Sequence, residues 1–372
     1  MTPQGTNRRD VLMGIGAGAA LSVSSVAVAQ AGGGGRKLGY AIVGLGSYAT
    51  KQIMPRFKEC TSSQLVALVS GTPEKLTRYA AEYGVPAASC YSYKDFDRIR
   101  DNPAIDIVYI VLPNSMHAEY SIRAARAGKH VMCEKPMAVS VAECEAMIAA
   151  SRKANRKLMI GYRSRFEPYN REAIALARGG HVGPTKIINA EHGFTAQPNQ
   201  WRLDHALSGG GSLMDIGIYS LNAARYLTGE EPVTVTAVES TDKSDPRFKT
   251  VEDRIDFMLK FPSGIIANCV SSYNSNHNRY RIVGPNGYID AEPATAYEGQ
   301  RMTIRKDGVV APRVLPTGQK SQFAGQLDHL SECVLADRQP IVAGEEGLAD
   351  LRVIEAIYRS AREGRTVRMD RA

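Results

Sequence analysis

No run of five lysines or arginines occurs in this 372-residue chain, although basic residues outnumber acidic ones by 46 to 38. Aromatics make up only 7% and do not interleave with the basic residues, so the net charge of +8 does not read as a nucleic-acid surface. The six cysteines, Cys60, Cys90, Cys133, Cys144, Cys269 and Cys333, lie far apart without a C-x-x-C pair. That spacing argues against a disulfide framework and a zinc site, and leaves small buried side chains as the reading. The seven histidines show neither H-x-H nor H-E-x-x-H spacing, so no metal is expected. Internal repeats are absent, and one glycine run is the sole low-complexity stretch.

Long apolar runs are also scarce. The notable one is the uncharged stretch of 19 residues at 11–29, which follows Arg8 and Arg9 and ends in small residues of A-x-A type, Ala27 and Ala29. Residues 1–31 therefore read as a cleaved twin-arginine signal that exports the folded protein to the periplasm. The alternative is a membrane anchor, since the run could just span a bilayer, but its glycines and serines make it weakly apolar. No cysteine marks the cleavage region, so no lipid anchor is suggested, and no stable membrane insertion is expected after cleavage.

The rest has the composition of a globular protein, 44% hydrophobic and 23% charged, and its length suggests two domains. After the flexible leader "AGGGGR", apolar strands alternate with helical patterns of 10 to 15 residues through about residue 160. Such alternation predicts βαβ units and a parallel sheet, an α/β domain of Rossmann type over residues 36–160. Residues 161–372 change character. Short strands parted by Gly, Pro and Asn turns predict an α+β domain with a large, mainly antiparallel open sheet. It closes with an amphipathic helix that places Leu348, Leu351, Ile354 and Ile357 on one side.

The segment "GLGSYA" supplies Gly44, Gly46 and Ala49 in a G-x-G-x-x-A pattern between the first strand and a helix beginning near Tyr48. There Gly44 permits a tight turn, Gly46 lets the backbone approach a pyrophosphate, and Ala49 allows close helix–strand packing. The phosphate would sit on free N–H groups at the helix start. Enzymes that use NAD place an acid after the second strand to hold the ribose 2′-hydroxyl. This chain has "SGTPEKLTR" instead, and Ser70, Thr72, Lys75 and Arg78 suit a 2′-phosphate, hence NADP. The other reading of Lys75 and Arg78 is a solvated helix face.

Two longer blocks, "EKPMAVSVAECEAMIAASRKANRKLMIGYRSRFEPYN" and "QWRLDHALSGGGSLMDIGIYSLNAARYLTGEEP", resemble the Gfo/Idh/MocA oxidoreductase family, in its glucose–fructose and aldose–aldose oxidoreductase branch. The resemblance implies that Glu134, Lys135 and Pro136 form the family's E-K-P motif, with Lys135 at the nicotinamide and the substrate. It places Asp215 and Tyr219 of "DIGIY" as catalytic partners of Lys135. Dinucleotide contacts are implied for Gly44, Gly46, Ser47, Tyr48, Ala49, Ser70, Lys75, Tyr93, Pro113, Asn114, His117, Glu134, Lys153, Trp201, Arg202 and Tyr297. Substrate contacts are implied for Lys135, Arg163, Asp215 and Tyr219. His205, which replaces a different residue of the glucose–fructose enzymes, is taken as a further substrate contact that argues against fructose as the preferred acceptor.

Oxidising the anomeric hydroxyl of an aldose moves a hydride to nicotinamide and requires a base for the proton. A tyrosine serves when a neighbouring cation favours its phenolate, the part implied for Lys135 beside Tyr219, while Asp215 orients sugar hydroxyls. With export, the expectation is a periplasmic oxidoreductase that keeps NADP(H) bound and alternates two sugars in ping-pong fashion. One leaves as a lactone and the other as an alditol. A conventional NADP-dependent dehydrogenase with dissociable cofactor and a non-catalytic sugar sensor are the competing readings. A homodimer through the second sheet is a further possibility left open by the sequence.

Overall fold

The apolar run Leu38–Val43 is buried along its whole length as strand β1, as expected of a strand covered on both faces. A computed structural model describes residues 36–369, so the export-signal expectation for residues 1–31 lies outside the described residues. The parallel strands are β1, β2 (Ser63–Val69), β3 (Cys90–Tyr91), β4 (Ile107–Ile110), β5 (His130–Cys133) and β6 (Leu158–Ile160). They are ordered β3-β2-β1-β4-β5-β6. In a doubly wound sheet of this order the direction of winding reverses between β1 and β4, which opens a crevice at the strands' carboxyl ends.

Helices α1 (Pro73–Tyr83), α2 (His117–Arg126) and α3 (Val141–Lys153) connect these strands. α1 starts with Pro73 in its first turn and stops at Gly84, whose φ of 66° is left-handed. α3 starts at Ser140, whose Oγ accepts the Glu143 N–H at 3.3 Å, while the Glu143 carboxylate accepts the Val139 N–H at 3.2 Å. This variant of the capping box sets where the chain leaves the E-K-P turn.

Further along the chain come α4 (Pro168–Arg178), β7 (Ile187–Gly193), α5 (His205–Ser208), α6 (Ile218–Thr228), β8 (Thr234–Glu239), β9 (Arg254–Lys260) and β10 (Ile266–Ser272). These are followed by β11 (His277–Gly284), β12 (Gly287–Ala291), β13 (Met302–Lys306), β14 (Val309–Arg313), α7 (Gln322–Leu335), α8 (Gly344–Glu363) and β15 (Val367–Arg368). The nine strands form one sheet, β14-β13-β12-β11-β7-β10-β9-β8-β15. Only β7 and β10 run parallel, and every other neighbouring pair is antiparallel. Helices α6 and α8 pack on one face. Along β9 alternate residues are exposed, Arg254, Met258 and Lys260 among them, so the opposite face is open. The α/β plus α+β architecture expected from the sequence is therefore what forms.

One segment departs from that reading. Helix α7, from the second half, lies against the first sheet: the Tyr40 hydroxyl donates to the Leu327 carbonyl at 2.7 Å. Asp328 accepts the N–H groups of Thr61 and Ser62 at 2.8 and 2.9 Å, and the Ile160 N–H donates to the Val342 carbonyl at 2.9 Å. A parallel sheet needs both faces covered, and here the chain returns after residue 320 to supply part of the cover. Among the described residues, no helix is long and apolar enough to cross a membrane, and the six cysteines are free thiols.

Candidate active site

The crevice beside β1 is a cleft of about 690 Å³ lined by residues 44–49, Ser70, Thr72, Lys75, Tyr93, Pro113, Asn114, Glu134, Lys135, Trp201, Arg202, Asp215, Tyr219 and Tyr297. Its glycines divide the work between them. Gly44 has φ +96°, and a Cβ there would lie 2.3 Å from the Val111 carbonyl oxygen, so the turn cannot take a side chain. A Cβ on Gly46 would meet nothing within 4 Å, while Ala49 is fully buried against the sheet. Backbone therefore faces open space at the start of a helical turn, the cradle a pyrophosphate needs. Gly46→Leu should accordingly fold normally but weaken dinucleotide binding at least about tenfold, roughly 1.4 kcal/mol. Fluorescence titration and a thermal melt check this; unchanged affinity would show that the cradle is not used.

At the end of β2 the Ser70 Oγ accepts the Thr72 N–H at 3.1 Å, and the Lys75 ammonium donates to the Leu45 carbonyl at 3.1 Å. The carboxylates of the cleft, Glu134 and Asp215, both lie at its other end. The ribose end thus offers hydroxyls and an ammonium and no acid, a donor set for a 2′-phosphate. Arg78 does not line the cleft and lies over the Tyr79 ring at 5.1 Å, so that part of the expected phosphate set is corrected.

The other end is built on the E-K-P turn that ends β5. Glu134 is buried, takes the Tyr109 hydroxyl proton in a hydrogen bond and receives the Lys135 N–H at 3.3 Å. Burial pushes its carboxyl above the usual range. The Lys135 ammonium donates to the Asp215 carbonyl at 2.6 Å and lies 3.5 Å from the Asp215 carboxylate. Asp215 also takes the Arg202 Nε–H at 2.8 Å and the Tyr273 hydroxyl at 3.1 Å. Burial alone would push the Asp215 carboxyl up; Arg202 and Lys135 outweigh it and hold the group below its ordinary range. Asp215 is ionised and stands in a π-helical turn, Leu213–Gly217, rather than capping a helix.

Tyr219 follows one turn later in α6. The Lys135 ammonium lies 4.7 Å from its ring centroid and the Arg163 guanidinium 5.1 Å. Two cations therefore face the phenol, where the sequence suggested one. Arg163 is buried and held by the Gln322 side chain at 2.6 Å and the Thr295 carbonyl at 2.7 Å. Beyond these groups opens a second cavity of about 600 Å³, which shares Lys135, Arg202, Asp215, Tyr219 and Tyr297 with the dinucleotide cleft. Its far wall carries Asn276, His277 and Asn278. A hydride acceptor in the cleft and a polyhydroxylated donor in the cavity would meet at Lys135 and Tyr219.

Three expected contacts are placed elsewhere. His117 is buried behind the wall, its nitrogens 2.8 Å from the Pro136 carbonyl and 2.9 Å from the Leu112 carbonyl; it links the two loops and does not line the cleft. His205 lies exposed on the four-residue α5 and lines a different cleft, because the chain turns there at Gly209. Lys153 is the exposed last residue of α3, at the end of the sheet opposite the crevice. Sequence reasoning missed Tyr273, which supports Asp215, and His192, whose ring stacks 5.8 Å from that of Tyr219. It also missed the Asn276–Asn278 wall, for which the polar turn "NSNHN" was the available signal. Among the described residues no cluster of potential metal ligands occurs.

Residues 38–162 match the model of the Gfo/Idh/MocA oxidoreductase family with its NAD-binding Rossmann fold, and residues 176–369 match that family's C-terminal alpha/beta domain. The chain belongs to the Gfo/Idh/MocA family. Within it, a crystal structure of aldose–aldose oxidoreductase from Caulobacter crescentus, complexed with glycerol, is 66% identical. It superimposes with a TM-score of 0.89 over 90% of this chain and 100% of that one. D-xylose 1-dehydrogenase [NADP(+)] of Haloarcula marismortui is 31% identical over 89% of this chain and 93% of its own length. Levoglucosan dehydrogenase, in complex with NADH and levoglucosan, shares the fold at 23% identity and a TM-score of 0.78, over 90% of this chain and 99% of that one.

Proposed function

We propose that this protein is an NADP-dependent aldose oxidoreductase of the periplasm, which keeps its dinucleotide bound and passes hydride between two sugars in alternating half-reactions. The observation that carries the reading is the convergence of Lys135, Asp215 and Tyr219 where the dinucleotide cleft meets the second cavity. The similarity to an aldose–aldose oxidoreductase supports the sugar class, and the acid-free ribose end supports NADP. NADP, when bound, supplies reversible hydride acceptance.

The chain's own residues handle the proton and the orientation. Tyr219, between the Lys135 and Arg163 cations, takes the O1 proton as the hydride leaves C1, and the aldose departs as its lactone. The same hydroxyl returns that proton to the carbonyl oxygen of the second sugar as hydride reaches its carbonyl carbon, giving an alditol. Asp215, fixed by Arg202 and Tyr273, accepts hydrogen bonds from sugar hydroxyls. Each half-reaction restores the protonation state the next one needs, so no group must exchange a proton with water between turns.

Export through residues 1–31 supports cofactor retention, since a folded chain can carry its dinucleotide with it. A homodimer through the open face of the nine-stranded sheet, where Ile187, Val238 and Met258 are exposed, completes the reading.

The test uses protein purified without added nucleotide. Glucose alone should produce a stoichiometric near-ultraviolet band of reduced nicotinamide, and a second carbonyl sugar should bleach it. Protein that arrives empty and turns over only with supplied NADP would be a conventional dehydrogenase. Protein that binds both without any redox change would be a sensor.

A further inference from the structure

A cleft of about 920 Å³ lies apart from the dinucleotide cleft and its sugar cavity and shares no lining residue with either. Its walls are the start of α3 at Val139 and Val141, the loop at Gly209 and Gly210, one face of α8 and the chain at Arg368. On α8, Arg352, Arg359 and Arg362 are spaced by seven and three residues and so share a helix face. Arg368 approaches from the neighbouring strand β15, and His205 stands at the rim.

The arginines of this cleft outnumber its carboxylates by four to two. Arg352 pairs with Glu145 at 3.2 Å, whereas Arg359, Arg362 and Arg368 form no ion pair among the described residues. The two carboxylates of the lining take hydrogen bonds from neutral donors and form an ion pair with none of these arginines. Glu355 accepts the Val141 N–H at 3.0 Å. Glu252, on the floor, accepts the N–H groups of Gly211 and Leu213 at 2.8 and 2.9 Å and the Tyr358 hydroxyl at 2.9 Å. Burial pushes the Glu252 carboxyl up, while the N–H groups of Gly211 and Leu213 and the Tyr358 hydroxyl hold it down.

Several guanidinium groups converging on one concavity repel one another unless an anion lies between them, and their forked donors match phosphate and carboxylate oxygens. We propose that this cleft binds a small, multiply charged anion, one that carries clustered phosphate or carboxylate groups. Its concave shape favours a small molecule over a flat anionic membrane, which could not reach the floor formed by Glu252, Ala356 and Tyr358. Nothing in this assignment depends on the redox reading of the other cleft.

Isothermal titration of the full chain, saturated with NADP to occupy the phosphate cradle at Gly44–Ala49, tests the proposal with two probes, tripolyphosphate and citrate. One saturable site is expected for at least one probe at physiological salt. Its affinity should fall at least tenfold in the Arg359→Glu/Arg362→Glu double variant and less in Arg368→Gln. Lys153→Glu, at the far end of α3, should bind as the parent does. Preference for tripolyphosphate would assign phosphate as the ligand group, and preference for citrate would assign carboxylate. These arginines are exposed, so their substitution should leave the melting temperature unchanged. Absence of saturable binding with either probe, or equal binding by the double variant, would overturn the proposal.

Discussion

Tyr219→Phe should lower turnover with an aldose by roughly 10²- to 10⁴-fold, the range general acid–base catalysis supplies, while the dinucleotide remains bound. The ring is seated by groups that do not need its hydroxyl. Lys135 and Arg163 lie near its face at 4.7 and 5.1 Å, and His192 stacks on it at 5.8 Å. Phenylalanine keeps these contacts and loses only the oxygen that exchanges the proton. The loss should therefore fall on kcat, with the sugar KM and the nucleotide content of the purified protein nearly unchanged.

Lys135→Met should cost a similar factor and also raise the KM. Its ammonium anchors to Asp215, so its removal loosens the carboxylate that orients the sugar. Rapid-mixing absorbance measurements of each half-reaction separate these effects. A Tyr219→Phe variant within tenfold of the parent would remove this hydroxyl from proton transfer and leave Lys135 or bound water as the acid–base group.

The second large effect concerns stability in acid. His130, His192 and His329 are held neutral in the folded protein. For each the first cause is burial, which lowers the pKa to about 4, about 3 and about 4 respectively. Arg156 and Lys157 add to the effect at His130, Arg163 at His192 and Arg338 at His329. Two of them are also committed as acceptors: His130 Nδ1 takes the Lys157 N–H at 2.9 Å, and His329 Nε2 takes the Ile341 N–H at 3.0 Å.

A pKa depressed on folding means that the unfolded chain binds more protons. Stability is therefore fully present above the unfolded value, near 6.5, and is lost as pH falls toward 4. Each such group can steepen the fall by about 1.4 kcal/mol per pH unit. His130 and His329 contribute less than His192, because partial exposure admits screening. Urea midpoints should drop markedly between pH 6.5 and 4.5, before the carboxylates are protonated. His329→Asn, whose amide oxygen can still accept the Ile341 N–H, should flatten the slope. A midpoint unchanged over that interval would show that the three rings charge without unfolding the protein.

How much of the site was legible depends on how local each signal is. The Gly44–Gly46–Ala49 turn is written within six residues, and its strand–turn–helix context is local, so the cradle followed from the sequence, while the crevice required the order of the strands. Lys135 in its E-K-P turn and Asp215 and Tyr219 of "DIGIY" are each written in a short segment, but their roles came from the resemblance. A lysine in a turn and a tyrosine on a helix have no chemistry in their spacing alone. Arg163, 28 residues beyond Lys135, was placed at the substrate only by resemblance; its partners Thr295 and Gln322 are more than a hundred residues away. The support of Asp215 by Tyr273 depends on a crossing of β10 with the Leu213–Gly217 turn that no spacing encodes. The misplacements have the same origin. His205 sits on a helix too short for periodicity to assign a face, and Lys153 occupies the wrong end of a correctly anticipated helix.

Composition and local pattern alone determined that this chain forms a parallel, dinucleotide-binding domain joined to a mainly antiparallel one. Apolar periodicity, turn residues and caps act over a few residues and survive in any unfolded reading of the chain. Tertiary structure alone decided which charges share a cavity. It brought Arg202, Lys135 and Tyr273 onto one carboxylate, turned His117 inward to tie two loops, returned α7 to cover the first sheet, and left three arginines facing an open cleft. Those outcomes depend on how whole elements pack, because burial and Coulomb energies are set by distances across the fold and not by separation along the chain.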